Sequence, residues 1–320
     1  MISIFTNSFV ITFNAMLQLF LIAAAAGLLM RKKIITQEHL KVLSGITVQV
    51  LLPCLTFSNI IKNFQPGQLK IWPLIPLTAV LTVAFGLAIS AVLFRRDLPA
   101  KKNLLALSAI QNAGYLILPL GQTIYPAAFD EFALYCFIYL LGLSPLLWSL
   151  GKYLVSFEEG KKLEPSQLFS PPFFANIVAV FLVFTHIRNF IPEVVVNSAS
   201  LVGSATVPVA TLVLGAVLGS IKLNIRPYWL DMAKVLLVKL FLTPLVTIII
   251  LRLTHFYIGY PMLCNLIVLQ AAVAPAMSLI LLVKHYGGEE DELSSILFVS
   301  YISCIITIPF WLAVWTTITG

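Results

Sequence analysis

Long, almost uncharged apolar stretches run through the whole chain and decide the solvent in which it folds. A helix needs roughly 20 apolar residues to cross a hydrocarbon core about 30 Å thick. Ten stretches approach or exceed this length: 9–30, 42–61, 71–94, 103–125, 131–154, 173–191, 199–220, 231–254, 262–284 and 293–317. Because lipid offers backbone N–H and C=O groups no partner, such stretches must be helical. The sequence therefore predicts an all-α membrane protein with ten transmembrane segments.

Composition and the placement of basic residues agree with a membrane protein and predict its orientation. The chain is 60% hydrophobic and 10% charged, whereas soluble domains have about 45–50% and 25%. Of the twenty Lys and Arg residues, fifteen follow odd-numbered segments, four follow even-numbered ones, and Lys239 lies within a segment. Since basic loops stay in the cytoplasm, both termini are expected outside the cell membrane. We assign the net charge of +7 to topology and anionic lipid rather than to nucleic-acid binding.

A polar stretch at 156–170 divides the segments into two sets of five and predicts two repeats, 1–155 and 171–320, joined by a cytoplasmic linker. An odd number of segments per half makes the second repeat inverted relative to the first. Three proline pairs have similar offsets of 155, 156 and 164 residues: Pro53 with Pro208, Pro119 with Pro275, and Pro145 with Pro309. Helices broken at matching places are typical of secondary transporters. Any single pair can equally be an ordinary kink.

The fourth and ninth segments carry the candidate binding residues, because each has amide side chains and small residues close to its proline. The candidates in these two segments are Gln111, Asn112, Gly114, Pro119, Gln270, Pro275 and Ser278. If each helix unwinds at its proline, a second half-helix begins inside the membrane with unpaired N–H groups and a positive dipole end. Two such ends predict a site for a carboxylate, which the Asn112 amide can bind. The alternative for Asn112 is a hydrogen bond between helices.

Charged groups inside the membrane are nearly absent. Lys239 is the exception, and it either reaches the cytoplasmic surface or assists an anionic cargo. Since no carboxylate falls in the middle of a segment, an ion relay through buried acids is not predicted, although carbonyls and amides can hold sodium. We expect the acidic run 289–292 to be a solvated helix start rather than a calcium site.

No catalytic or metal-binding constellation is predicted. All histidines fall in loops or at segment ends, at His39, His186, His255 and His285. The cysteines lie within segments without metal-ligand spacing and are interpreted as packing residues, at Cys54, Cys136, Cys264 and Cys304. The protein is therefore expected not to be an enzyme and to need no cofactor or metal.

Several of these motifs together resemble the auxin efflux carrier family over essentially the whole chain. They are Leu51–Phe57, Asn112 with Pro119 seven residues later, Val207–Gly215, and Ala272–Tyr286. The resemblance implies ten helices in two inverted repeats, as in bile-acid symporters and sodium–proton antiporters, with segments 4 and 9 crossing at their prolines. It further implies a homodimer, a scaffold of segments 1, 2, 6 and 7, and an elevator of segments 3–5 and 8–10. Asn112 then contacts the substrate carboxylate, while Ile117 departs from the glycine of many members.

Function is expected to be transport of a small organic anion, a carboxylate of the auxin-like or dicarboxylate kind, by alternating access of a midplane site. The alternative is a sodium-coupled symporter of larger amphipathic acids of the bile-acid type. Three further functional classes are alternatives. A channel would show flux that does not saturate, a membrane enzyme would need a buried nucleophile with its base, and a receptor would normally carry a signalling domain.

Overall fold

The computed structural model of the protein describes residues 1–155, 170–286 and 290–320, and helices dominate all three ranges. Most of the predicted linker at 156–170, and Glu289 of the acidic run, lie outside the described residues. Twelve helices carry labels here, in chain order: α1 (Ile2–Arg31), α2 (Gln37–Asn63), α3 (Leu74–Leu93), α4 (Lys102–Ala109), α5 (Ile117–Ile124), α6 (Pro126–Val155), α7 (Pro171–Phe184), α8 (Glu193–Ser220), α9 (Arg226–Leu253), α10 (Pro261–Ala272), α11 (Ser278–Tyr286) and α12 (Glu290–Thr319).

The all-helical membrane class is confirmed for the described residues, which contain no β-strand. Within the three described ranges, seven helices are long and apolar enough to cross a membrane: α1, α2, α3, α6, α8, α9 and α12. Two shorter apolar helices, α7 and α10, accompany them. The predicted fourth segment is divided into α4 and α5, and the predicted ninth into α10 and α11.

Helix starts follow the local chemistry of the sequence. Proline occupies the first position of α6, α7 and α10, where its missing N–H has no intrahelical partner to lose. At the start of α2, the Thr36 hydroxyl accepts from the His39 backbone N–H at 3.3 Å, and the His39 ring accepts from the Thr36 N–H at 3.4 Å. This reciprocal capping satisfies two N–H groups that a helix end otherwise leaves without partners.

The sequence leaves each proline pair open between a break and an ordinary kink, and one of the three pairs lies at helix interruptions. Pro119 lies in the first turn of α5 and Pro275 lies in the gap between α10 and α11. The other four lie within spans that continue past them: Pro53 in α2, Pro145 in α6, Pro208 in α8 and Pro309 in α12. A membrane helix tolerates proline because local adjustments and neighbouring groups satisfy the freed carbonyl.

Three of the long helices absorb an extra residue in a π turn, at 47–51 in α2, 147–151 in α6 and 237–242 in α9. In α9, Pro244 has no N–H to give to the carbonyl of Leu240. The Trp311 indole N–H of α12 donates to that carbonyl instead, at 2.7 Å. The Thr243 hydroxyl donates to the Val238 carbonyl at 2.8 Å. These bonds stabilise the π turn that contains Lys239.

Glycines let particular helices approach each other closely. A Cβ atom added to Gly215 of α8 would lie 2.1 Å from the carbonyl oxygen of Ala23 in α1. One added to Gly203 of α8 would lie 2.6 Å from the Leu55 backbone of α2. Such distances are below van der Waals contact, so these positions admit no side chain without displacement of a helix. Helices α1, α2 and α8 are therefore packed backbone to backbone.

The two divided segments occupy the protein interior. Every residue from 103 to 109 in α4 is buried, as are nearly all residues of α10. Helices α3, α6, α9 and α12 pack around them. The fold thus buries most of the described residues of the two interrupted segments.

Candidate substrate site at the crossing of two interrupted helices

Two gaps in helical structure meet inside the protein. The first gap spans residues 110–116 and the second spans residues 273–277. The Asn112 backbone N–H donates to the Ala274 carbonyl at 2.9 Å, and the Ala276 N–H donates to the Ile110 carbonyl at 2.9 Å. Together these bonds form a single antiparallel bridge between Gln111 and Pro275. The interruptions expected in these segments are therefore present, and they contact each other through their backbones.

Local sequence explains why each helix stops and restarts. Ile110 and Val273 both adopt extended backbone directly after α4 and α10. Leu116 precedes α5 and offers no capping side chain. Because the first N–H groups of a helix have no intrahelical partners, the starts of α5 and α11 carry partial positive charge, and the ends of α4 and α10 carry partial negative charge.

Asn112 is 4% exposed and is bonded within the crossing. Its amide N–H donates to the hydroxyl of Tyr301 in α12, and its amide oxygen accepts from the Tyr115 backbone N–H at 3.1 Å. The Tyr301 hydroxyl donates to the carbonyl of Pro275 at 3.2 Å. The hydrogen bond between helices, the alternative considered for Asn112, is thus the contact present in this state.

The two predicted glutamines each have one amide atom without a partner. The Gln111 N–H group donates to the Tyr139 hydroxyl, and the Gln270 N–H group donates to the Ala113 carbonyl at 3.4 Å. Both amide oxygens are buried without a hydrogen-bond partner in the described residues. Since a hydroxyl both donates and accepts, Gln111 can turn its amide over and offer N–H groups instead.

One side of the crossing is open. Gly114 is partly exposed, and a Cβ atom added there would meet nothing within 4 Å. Its neighbour Tyr115 packs against a cluster that contains Met30 of α1, Leu40 of α2 and Val213 of α8. Ser278, at the start of α11, is also partly exposed. The first gap therefore has free space at Gly114 and, one residue later, a contact with α1, α2 and α8 through Tyr115.

Seven of the eight predicted site residues lie in the two gaps or within three residues of them, and Lys239 does not. Its side chain is fully buried, and its amine has no hydrogen-bond partner in the described residues. Cys304 of α12 lies within electrostatic range of the Lys239 amine, and its thiol donates to the Ala272 carbonyl at 3.8 Å. The Lys239 side chain therefore does not extend to the cytoplasmic surface, which was one of the two roles considered for it.

The sequence model described as "Membrane transport protein" matches residues 11–166 and 157–312 of the chain. The chain belongs to this membrane transport protein family. The auxin efflux carrier assignment made from its motifs is thereby confirmed, and membership of a transport family supports a role other than catalysis.

Related members of the membrane transport protein family differ in how much of their length aligns. An uncharacterized transporter of Methanocaldococcus jannaschii is 23% identical over 87% of this chain and 90% of its own length. A second uncharacterized transporter, of Methanothermobacter thermautotrophicus, is 24% identical over the same shares. Protein PIN-LIKES 1 of Arabidopsis thaliana is 27% identical over 47% of this chain and 34% of its own length.

Sequence analysis did not identify the hydroxyl and thiol groups that hold the crossing in this family member. Tyr139 and Tyr301 accept from the two amides, and the Cys136 thiol donates to the Ala113 carbonyl at 3.1 Å. The sequence did contain a signal for these groups. Tyr139 and Tyr301 fall inside predicted segments, whereas membrane tyrosines usually lie at the lipid–water interface. A tyrosine deep in a segment needs a polar partner there.

A second polar cluster joins residues near the starts of α4, α9 and α12. The Lys101 amine lies 2.7 Å from Glu292 and 3.0 Å from Asp231. Although partial burial lowers it, hydrogen bonds and attraction from the two carboxylates raise the pKa of Lys101 above its usual value. Glu292 is buried, so the prediction of a fully solvated acidic run is wrong at this residue. Carboxylates at a helix start are stabilised by the helix dipole, and Lys101 adds a counterion.

Proposed function

We propose that the protein carries small organic anions, of the auxin-like or dicarboxylate kind, across the cytoplasmic membrane through a site at the crossing. The observation that carries the proposal is the backbone bridge between Gln111 and Pro275. This bridge holds the two gaps and the two helix starts that follow them together in the protein interior. The amides of Gln111 and Asn112 lie in the first gap, and the Gln270 amide lies in the last turn of α10, just before the second. An anion is favoured there because helix starts carry positive charge and screening is weak away from water.

The membrane arrangement that we propose has ten spans in two inverted sets of five. It counts the seven long helices, the shorter α7, and the two divided pairs as spans. In this arrangement the linker at 156–170 connects the sets on the cytoplasmic side, and both termini face outside. The uneven distribution of basic residues supports this orientation.

Close contacts support an elevator motion of one helix group against another. Glycine approaches join α1 to α8 and α8 to α2, within the proposed scaffold of α1, α2, α7 and α8. Others join α3 to α4 at Gly86 and α3 to α6 at Gly142, within the proposed moving group. The ion pairs of Lys101 also stay within the moving group. Each group is therefore stiff internally, as a rigid-body displacement requires.

Two asparagines of the proposed scaffold bond to the moving group and must release it. The Asn59 amide of α2 donates to the Asp130 carbonyl at 3.1 Å, and the Asn176 amide of α7 donates to the Phe137 carbonyl. Both accepting carbonyls belong to α6. In the proposed homodimer the scaffold supplies the contact between protomers, so that it stays fixed while the other group moves.

Binding and uptake by purified protein test the proposal. A panel of carboxylates should raise the thermal midpoint of the parent, because a ligand that binds the folded state stabilises it. Asn112→Ala should abolish this shift and the uptake of the same carboxylate into proteoliposomes. Asn103→Ala is the matched control, since Asn103 is a buried amide of α4 outside the gap. A parent that binds no carboxylate, or an Asn112→Ala variant that transports normally, contradicts the proposal.

Sodium-coupled transport of larger amphipathic acids remains the second candidate. The two unpartnered amide oxygens of Gln111 and Gln270 favour it, since oxygen ligands suit hard cations. Uptake that requires sodium would support this candidate over uncoupled transport.

A further inference from the structure

Lys239 is a fully buried amine without a hydrogen-bond partner in the described residues. It lies in the π turn of α9, which packs against α3, α4, α10 and α12. The turn is held by Trp311 and Thr243 through the two bonds described above. The backbone thus fixes Lys239 near the middle of α9, among the helices that surround the crossing.

The helices packed against Lys239 bring it no carboxylate inside the membrane. Helix α3 has no titratable side chain, α4 has only Lys102 at its first residue, and α10 has only Cys264. Helix α12 contributes Cys304 and Tyr301, and its acidic residues are confined to its first turn. Asp231 lies eight residues earlier on α9, about 12 Å along the helix axis, and is bonded to Lys101.

An ammonium group in this position needs a negative charge from elsewhere, because an unpaired buried charge is costly. The carbonyl end of α10 supplies part of it, since cations are stabilised at helix C-termini. Cys304 lies between Lys239 and the C-terminal end of α10, since it is within electrostatic range of Lys239 and its thiol donates to the Ala272 carbonyl. Ala272 ends α10 immediately before the second gap. An anion bound at the crossing would therefore stand on the same side of Lys239 as this carbonyl.

We propose that Lys239 is the proton-binding group of the carrier, and that one proton crosses with each anion carried. The neutral amine takes a proton from solution as the anion binds, which gives an ammonium and a carboxylate within one closed bundle. On the other side the carboxylate leaves and the amine returns the proton. This inference rests on the proposed function, and it specifies the coupling ion.

Proton uptake on binding tests the inference in the parent protein alone. Calorimetry of carboxylate binding in two buffers of different ionisation enthalpy should report about one proton taken up per anion, by linkage. Affinity should fall about tenfold per unit of rising pH on the alkaline side. Binding without proton uptake, at an affinity independent of pH, overturns the inference and leaves the proposed function intact. No binding of any carboxylate overturns both.

Variants in proteoliposomes test the residue assignment. In the parent, uptake of a monocarboxylate should acidify the lumen. The rate of uptake should not depend on an imposed membrane potential, because the carboxylate and its proton together carry no net charge. Lys239→Met should abolish the pH dependence of binding and make any remaining uptake respond to the potential. Lys234→Met is the matched control, since Lys234 lies on the same helix but is partly exposed and paired with Asp231. Retained proton uptake in Lys239→Met, or its loss in Lys234→Met, contradicts the assignment.

Discussion

The hydroxyl of Tyr301 accepts from the Asn112 amide of one interrupted segment, and it donates to the Pro275 carbonyl of the other. One side chain of α12 therefore braces both gaps. The backbone bridge between Gln111 and Pro275 then has a side-chain counterpart on a neighbouring helix. The geometry of the crossing depends on α12 as well as on the two segments that form it.

Tyr301→Phe should weaken the crossing more than its volume change suggests. It removes both bonds and leaves the buried Asn112 amide without its acceptor, at a cost of about 0.6–1.7 kcal/mol per bond in a membrane interior. We expect a lower thermal midpoint. We also expect carboxylate uptake to slow at least about tenfold, because the Asn112 amide would no longer be held in its position and small displacements of a binding group are costly. Tyr135→Phe is the control, since the Tyr135 hydroxyl bonds to Glu131 of its own helix. Equal effects of both changes would refute a special role for Tyr301.

Gly114→Leu should block transport without unfolding the protein. Nothing lies within 4 Å of an added Cβ atom, and the backbone there is not left-handed, so the side chain enters free space. That space borders the proposed site, and a leucine would occupy the volume of a cargo. We expect an unchanged thermal midpoint together with lost uptake. Gly259→Leu, at another uncrowded glycine, should keep both, and normal uptake by Gly114→Leu would contradict the placement of the site.

Gly215→Val should destabilise the packing of α1 on α8. Its Cβ atom would fall 2.1 Å from the Ala23 carbonyl oxygen, and helices must separate to admit it, at a cost of about 1–3 kcal/mol or more. Gly45→Ala is the opposite case, because its Cβ atom meets nothing and alanine is the better helix former by about 1 kcal/mol. Thermal unfolding in detergent should show a lower midpoint for the first change and a higher one for the second. A stable Gly215→Val protein would argue against a rigid scaffold.

The Lys101 cluster should contribute stability that is constant at neutral pH and lost only in alkali. The pKa of Lys101 is raised in the folded protein, so its contribution is complete below the usual lysine value of about 10.4 and falls as pH rises through the raised value. Lys101→Met should cost more than the about 1 kcal/mol of a surface pair and less than the about 3–5 kcal/mol of a fully buried one.

Thermal midpoints measured across an alkaline pH series check this expectation. The parent and Lys101→Met should differ by a constant amount at neutral pH and converge at high pH. A difference that instead grew with pH would show that Lys101 is stabilised by something other than its two carboxylates.

The sequence was sufficient to predict the membrane class and the two interrupted segments, because both depend on local composition. The break at the crossing follows from small residues and amides near Pro119 and Pro275. The sequence left a kink and a break equally open for the other four prolines, whose helices continue past them: Pro53, Pro145, Pro208 and Pro309. Proline alone does not decide between a kink and an interruption.

The partners of the site residues could not be predicted from local sequence. Tyr301 lies 189 residues from Asn112, and Lys101 lies 191 residues from Glu292. Spacing along the chain gives no information on which distant groups meet. Folding brings them together, and with them the burial of Glu292 and the isolation of Lys239.

The π turn of α9 also divides that helix into two parts that face different neighbours. A π turn holds one residue more than an α turn, and one residue corresponds to about 100° of rotation around the axis. Before the turn the helix contacts α4, and beyond it the main contact is α10. A single inserted residue thus lets one continuous helix pack against α4 with its first part and against α10 with its second part. Deleting that residue would rotate the apolar face of one part away from its partner helix.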